Sequence, residues 1–501
     1  MEHVDVLIAG AGLSGIGAAD HLERRCPWAT YAILEARRSL GGTWDLFRYP
    51  GVRSDSDVFT LGYALRPWEG EKAIAEGDAI LDYIAATATE RGIDRRIRFQ
   101  HRIVRADWSS SEARWHVVAE RVDTGATVEF TCGFFFSCTG YYRYDRGYRP
   151  DLPGLDRFGG PVVHPQFWPA DLDYAGRRVV VVGSGATAVT LVPALARTAA
   201  HVTMLQRSPT YIASLPARDP VAGVLRRWLP AAVAGPALRW INALTAQAFY
   251  QVCRRRPAMM KRFLRRRVAA ALPAGYDVDT HFQPTYDPWD QRLCLAPDGD
   301  LFRAIGDGTA SVVTDHIEEV IETGIRLRSG AVVEADVLVT ATGLELLFLG
   351  GIALTVDGEP VDLPGCLLYK GMMLDGVPNF AVAFGYANAS WTLKCDLTSE
   401  YVCRLLTHMR ATGASRCRPV NHDDTMDRRA VLGLTSGYVQ RAADRFPTQG
   451  SRAPWQVHQS YLKDYRTIKR GTVADEALEL SNPERSAKGP VLVSGQMPTP
   501  G

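Results

Sequence analysis

Twice in this chain a short apolar run passes directly into a glycine-rich turn and then into a helical pattern. That repetition constrains the fold more than any other feature. Val4 to Ala9 has the unbroken apolar character of a strand buried on both faces of a parallel sheet, and apolar periodicity from Leu13 to Arg24 marks a helix. Between them stand Gly10, Gly12 and Gly15. The first makes the tight turn, the second lets a pyrophosphate approach the backbone, and the third lets helix and strand pack closely. A second strand, Tyr31 to Leu34, ends in Glu35, about 20 residues past the last glycine, where an acid bonds ribose hydroxyls.

The pattern returns at Arg178 to Val182, which feeds Gly183, Ser184, Gly185, Ala186, Thr187 and a helix to Ala196, with Ala188 in the place of the third glycine. Its partner strand, His201 to Leu205, ends in Gln206, Arg207 and Ser208 instead of an acid. A guanidinium there pairs a ribose 2′-phosphate, so this second fingerprint reads as an NADPH site and the first as an FAD site. The expected fold is α/β, with two Rossmann-like dinucleotide-binding domains and a helical insertion in the NADPH domain. Residues 1–142 and 344–501 form the FAD part. Residues 143–217 and 286–343 form the NADPH part, and 218–285 the helical insertion.

Three further stretches carry candidate chemistry. Gly41, Gly42, Thr43, Trp44 and then Arg48 to Asp55 mix glycines, aromatics and charges in a way that suits a loop wrapping a flat ligand. FGGPVVHPQFWP, from Phe158 to Pro169, reads as a loop lying between the two fingerprints. DPWDQRLCLAPDGDLFR, from Asp287 to Arg303, places Arg292 in an aromatic and polar setting. Extended segments Trp115–Glu120 and Thr127–Phe136 flank a turn at Asp123 to Gly125, and DVLVTATG, from Asp336 to Gly343, reads as another buried strand with a glycine-terminated return.

Composition excludes several classes. The balance of 57 basic against 55 acidic residues gives a net charge of +2, which provides no global field for nucleic acid. Nine cysteines are scattered without a CxxC pair, which fits reduced thiols and argues against a metal site or a redox dithiol. The first residues show no secretory leader, so a cytoplasmic protein is expected. Ala231 to Cys253 is interrupted by Pro236, Arg239 and Asn242 and reads as a core helix, not a membrane span. Arg254 to Arg256, Lys261, Arg262 and Arg265 to Arg267 lie beside Met259, Met260, Phe263 and Leu264. Such a run is usually a solvated helix face; the sharper expectation is weak contact with an anionic membrane surface.

These residues together resemble the class B flavoprotein monooxygenases and, within them, the Baeyer–Villiger monooxygenases. The FxGxxxHxxxW signature, followed by Pro or Asp, is matched by Phe158, Gly160, His164, Trp168 and Pro169. A second signature is matched by Gly41, Gly42, Trp44, Tyr49, Pro50, Gly51 and Asp55. GGTWDLFRYPG, GSGATAVTLVPAL, DPWDQRLCL and GYANASWTLK make the chain similar to the ethionamide-activating subgroup. It departs from larger family members at Gln291, where they carry lysine.

The resemblance implies an enzyme that uses FAD, NADPH and O₂ to insert oxygen into a small-molecule ketone, or to oxidise a sulfide, through a flavin peroxide. It implies Arg292 and Asp55 as catalytic residues, the aspartate aiming the guanidinium at developing negative charge. The expected cofactor-binding residues are Gly10, Gly12, Gly15, Glu35, Gly42, Thr43, Trp44, Asp55, Gly183, Gly185, Ala186, Thr187, Arg207 and Arg292. His164, by its position, is expected to be a packed residue of the interdomain connection rather than a proton carrier. A purely N- or S-oxidising flavin enzyme is the alternative, and a flavin disulfide reductase is disfavoured by the missing dithiol.

Overall fold

A computed structural model describes residues 1–70 and 72–483; the end of the 344–501 segment, from 484 onward, lies outside the described residues. The first sheet is built on β1 (Glu2–Ala9), β2 (Tyr31–Glu35), β3 (Ile97–Phe99), β4 (His101–Ser109), β5 (Arg114–Arg121) and β6 (Thr127–Ser137). Strands β3, β2, β1 and β6 lie side by side and parallel. The C-terminal end of β6 pairs in parallel with Phe380–Val382, while its N-terminal half pairs antiparallel with β5. The chain therefore leaves this sheet after β6 and returns to it more than 200 residues later, first at Ala353–Val356, which pairs in parallel with β4, and then at Phe380.

Side-chain alternation explains why β1 and β6 sit at the centre. Val6, Ile8, Phe134 and Phe136 enter one core, while Leu7, Ala9 and Phe135 enter the core on the opposite face, as the two-residue period of a strand requires. Over Val6–Ala9 and Phe134–Phe136 neither strand has a solvated face, so an apolar run suits them there.

The second sheet uses β7 (Val162–Val163), β8 (Arg178–Val182) and β9 (His201–Gln206). Its order is Ala310–Thr314, β9, β8, Val337–Thr340, β7, with every pair parallel. The Phe158–Pro169 stretch is thus more than a loop. Val162 and Val163 add an edge strand to this sheet, and Pro165–Phe167 forms a single 3₁₀ turn. Gly160 permits this, because a Cβ there would stand 2.3 Å from the Asp336 carbonyl oxygen.

Helices span Pro220–Trp228, Ala231–Arg255, Pro257–Ala271 and Val278–Phe282. Two of them open on proline, where the missing N–H costs nothing. The expectation that Ala231–Cys253 is a core helix needs correction. Only Ala234, Leu238, Arg239, Ala243 and Cys253 are buried within it, so the helix lies on the body along one stripe. Among the described residues no helix is long and apolar enough to cross a membrane.

Arg239 anchors that stripe. Its Nη2 meets Asp396 Oδ2 at 2.5 Å on helix Trp391–Thr412, and its Nη1 donates to the Gly62 and Thr60 carbonyls at 2.5 and 3.1 Å. The other oxygen of Asp396 faces His21 Nε2 at 3.3 Å. Burial raises the cost of charging Asp396, but Arg239 and His21 hold its carboxyl below the usual range. A helix inserted between the strands of the second sheet is thereby locked onto helices packed on the first.

Candidate functional site

The C-terminal ends of the parallel strands in both sheets open into one cleft of about 1250 Å³. Open α/β sheets bind ligands at those ends, and this cleft exceeds the roughly 300–1,000 Å³ of an ordinary small-molecule pocket. Every predicted cofactor-binding residue lines it except Gly15. Gly15 is buried against β1, where a Cβ would stand 1.9 Å from the Gly10 carbonyl oxygen; it sets the packing of helix on strand and does not face the cleft.

At the first fingerprint the helix Leu13–Arg25 opens on Gly12 with no side chain capping it, so the N–H groups of its first turn are left to a ligand. The Gly41 N–H donates to the Ala11 carbonyl at 2.9 Å, and a Cβ on Gly42 would stand 3.1 Å from Gly12 Cα. The two glycine loops thus meet backbone to backbone. Glu35 accepts from the N–H groups of Ala11 at 2.7 Å and Arg37 at 2.9 Å. Burial pushes its carboxyl upward, against those two bonds and the nearby Arg37 charge. An ionised carboxylate has about four acceptor sites, so two remain for hydroxyls. Thr43 pairs its hydroxyl with that of Tyr144 at 3.1 Å, and Trp44 packs against the core beneath.

The second fingerprint repeats the arrangement. Gly183 has φ +139°, and a Cβ there would meet the Ala341 carbonyl oxygen at 2.3 Å, so the turn presses on the returning strand. Gly185 is the opposite case: a Cβ there would meet nothing within 4 Å, leaving an open cradle at the uncapped start of helix Ala186–Leu195. Thr187 reaches the buried Tyr49 phenol, which burial pushes up to about 12. Arg207, at the end of β9, is exposed and has no ion-pair or hydrogen-bond partner among the described residues. Open backbone, uncapped helix starts, an acid on one side and an unpaired arginine on the other fit two dinucleotides.

Between the cradles, Arg292 Nη2 stands 2.7 Å from Asp55 Oδ2, and Nη1 donates to the Ala387 carbonyl at 2.6 Å. The arginine side chain is 23% exposed and that of Asp55 48%. Burial works against the guanidinium charge, yet Asp55 and the phenols of Tyr141, Tyr438 and Tyr142 raise its pKa above the ordinary arginine value. Arg292 Nε is buried without a partner. The segment bearing this arginine is pinned from two sides. Arg254 of the insertion meets Asp290 at 2.5 Å, and Thr435 N donates to the Asp290 carbonyl at 2.8 Å.

His164 lies away from this pair. Its Nδ1 accepts from Gln166 N at 3.2 Å and its Nε2 faces the Gly343 carbonyl at 3.2 Å, which sets the neutral Nε2–H tautomer. Burial lowers its pKa, against the contact with the Gly343 carbonyl. It therefore ties the interdomain connection to the last return of the second sheet.

Tyr141, Tyr142 and Tyr438 line the cleft and were absent from the sequence reading. Tyr141 and Tyr142 follow Cys138, Thr139 and Gly140 just past the end of β6, so their position at a strand end was a usable signal. Tyr438 comes from a four-residue helix, Gly437–Gln440, with no motif around it. All nine cysteines are buried and free, and among the described residues no cluster suits a metal ion.

Residues 73–219 match the flavin-binding monooxygenase-like family. Over 481 residues the chain is 54% identical to "FAD-containing monooxygenase EthA" of Mycobacterium tuberculosis, covering 96% of this chain and 98% of that one. It is 45% identical over 501 residues to "Probable FAD-binding monooxygenase AlmA" of Acinetobacter baylyi, covering 98% and 100%. Among solved structures the fold is similar to a steroid monooxygenase bound to NADP, with TM-score 0.72, 20% identity and coverage of 96% and 100%. It is equally similar to a cyclohexanone monooxygenase, with TM-score 0.72, 20% identity and the same coverage.

Proposed function

Because this chain belongs to the family of FAD-containing monooxygenases, we propose that it inserts one oxygen atom from O₂ into small ketones, giving esters or lactones, and oxidises sulfides to sulfoxides, with NADPH as electron donor. The observation that carries this reading is the Arg292–Asp55 pair held between two dinucleotide cradles in a single cleft. Bound FAD supplies the oxygen activation and transfer. Gly12, Gly42 and the start of helix Leu13–Arg25 hold its pyrophosphate, and Glu35 holds its ribose. Gly185, Ala186 and Thr187 do the same for NADPH, and Arg207 takes the 2′-phosphate. Gln291, which lacks a charge, leaves that task to Arg207.

Arg292 then faces the negative charge that builds on the substrate oxygen as its carbonyl is attacked. A fixed cation acts more strongly there than in bulk water because the buried phenol rings of Tyr141, Tyr142 and Tyr438 wall one side of it. Asp55 and the Ala387 carbonyl aim the guanidinium. His164 holds the connection between the nucleotide regions and carries no proton in the reaction. The nine buried thiols suit a reducing cytoplasm.

The test is product analysis on the holoenzyme with NADPH and, separately, a cyclic ketone, a methyl ketone and an aryl sulfide. Esters or lactones from the ketones and sulfoxide from the sulfide are expected. Sulfoxide alone would refute the ketone activity and leave an N- or S-oxidising enzyme.

A further inference from the structure

The insertion that Arg239 locks onto the body turns an unusual surface outward. Between Pro220 and Tyr276 the chain has eleven lysines and arginines and no aspartate or glutamate. Arg239, Arg254, Lys261 and Arg265 spend their charge on Asp396, Asp290, Asp287 and Asp279. Arg255, Arg256, Arg262, Arg266 and Arg267 are exposed, and none of their side chains has an ion-pair or hydrogen-bond partner among the described residues.

Large apolar side chains are exposed on the same helices. On Pro220–Trp228 they are Val221, Val224 and Trp228, spaced three and four apart along one face, with Trp228 75% exposed. Ile241, Leu244 and Val252 are likewise exposed on Ala231–Arg255. On Pro257–Ala271, Met259 and Phe263 stand one turn apart. These are not edges of the core: Met260, Leu264 and Val268 cover the inner side of that helix, and Leu238, Ala243 and Cys253 the inner side of its neighbour. Of the four apolar residues beside the basic run, Met260 and Leu264 thus turn inward, and Met259 and Phe263 stand out with the arginines.

We propose that this face of the insertion docks on an anionic lipid bilayer surface, the apolar side chains entering the interface while the unpaired arginines meet the headgroups. Charge complementarity selects that occupant. A second copy of the same face would set uncompensated arginines against each other, and a nucleic acid would leave Val224, Ile241, Met259 and Phe263 without an apolar partner. Tryptophan and arginine side chains, each with an apolar body and a polar end, suit the headgroup level. The proposal does not depend on the reaction assigned above, since it is tested without turnover.

The test is flotation of the full-length holoenzyme with phosphatidylcholine vesicles and with vesicles also containing phosphatidylglycerol, at low and high salt. Binding to the anionic vesicles alone, lost at high salt, is expected. At low salt, Arg255→Gln, Arg256→Gln, Arg262→Gln and Arg266→Gln each lower the partition coefficient about fivefold, and Phe263→Ser with Trp228→Ser weakens it as well. Flavin absorbance and Tm stay at parent values and report that the variants are folded. Equal binding to neutral and anionic vesicles, or none to either at low salt, overturns the proposal. So does self-association, or DNA binding, that the four arginine substitutions abolish while vesicle binding persists.

Discussion

Replacing Arg292 by alanine tests the reading of the site most directly. The guanidinium is tied by Nη2 to Asp55 at 2.7 Å and by Nη1 to the Ala387 carbonyl at 2.6 Å, so its position is set before substrate arrives. A unit negative charge forming ~4 Å away, at an effective dielectric of ~20, gains about 4 kcal/mol. At 1.36 kcal/mol per factor of ten, Arg292→Ala is expected to slow ester formation roughly a thousandfold. Asp55→Ala leaves the cation in place and removes its aim. The loss is one charge-assisted hydrogen bond, and because Asp55 is 48% exposed the effect falls at the lower end, about tenfold. Ester formation is measured by product chromatography, and NADPH-dependent loss of flavin absorbance is followed anaerobically as a separate step. In the Arg292→Ala background, Asp55→Ala is expected to add little, since the two act through one contact. Ester formed at the parent rate by Arg292→Ala would refute the assignment, as would full additivity of the two substitutions.

The two glycines of the second fingerprint give opposite outcomes. Gly183→Ala forces a side chain onto φ +139° and against the Ala341 carbonyl, costing at least ~2 kcal/mol in urea unfolding, whereas Gly185→Val meets open space, keeps stability and raises KM for NADPH. Arg207→Ala raises KM for NADPH about tenfold or more and leaves NADH unchanged; equal effects on both would remove the 2′-phosphate contact. Asp396→Ala strands Arg239 in the interior and lowers unfolding free energy by about 3–5 kcal/mol, seen as a drop in Tm. His164 is held neutral, with its pKa below the ordinary value by burial. The unfolded chain therefore binds its proton first as pH falls, and stability declines as pH drops below about 6.5; denaturant titrations across that range should show a shallower decline in His164→Gln.

Much of this molecule was legible in short windows of sequence. Strand, glycine turn and helix are decided by neighbours a few residues apart, so Val4–Arg24 and Arg178–Ala196 were legible as two glycine-turn units, and the assignment of FAD to one and NADPH to the other rests on Glu35 and Arg207. The Phe158–Pro169 signature and the Asp55 loop identified the family on the same local terms. The third glycine shows the limit: Gly15 bears a binding motif, yet close packing on β1 turns it away from the cleft. What required the tertiary structure are the quantities that sum over distant contacts. Asp55 and Arg292 become a pair only because the chain leaves the first sheet, builds most of the second and brings both loops to the same opening. Tyr438 joins them from a segment without any pattern. The insertion makes the point from the opposite side. Periodicity showed helices rich in arginine, but only packing revealed that Met260 and Leu264 face inward while Met259 and Phe263 face out. Propensity acts along the chain, whereas burial and electrostatic fields act through space, and it was through space that this site and this surface were decided.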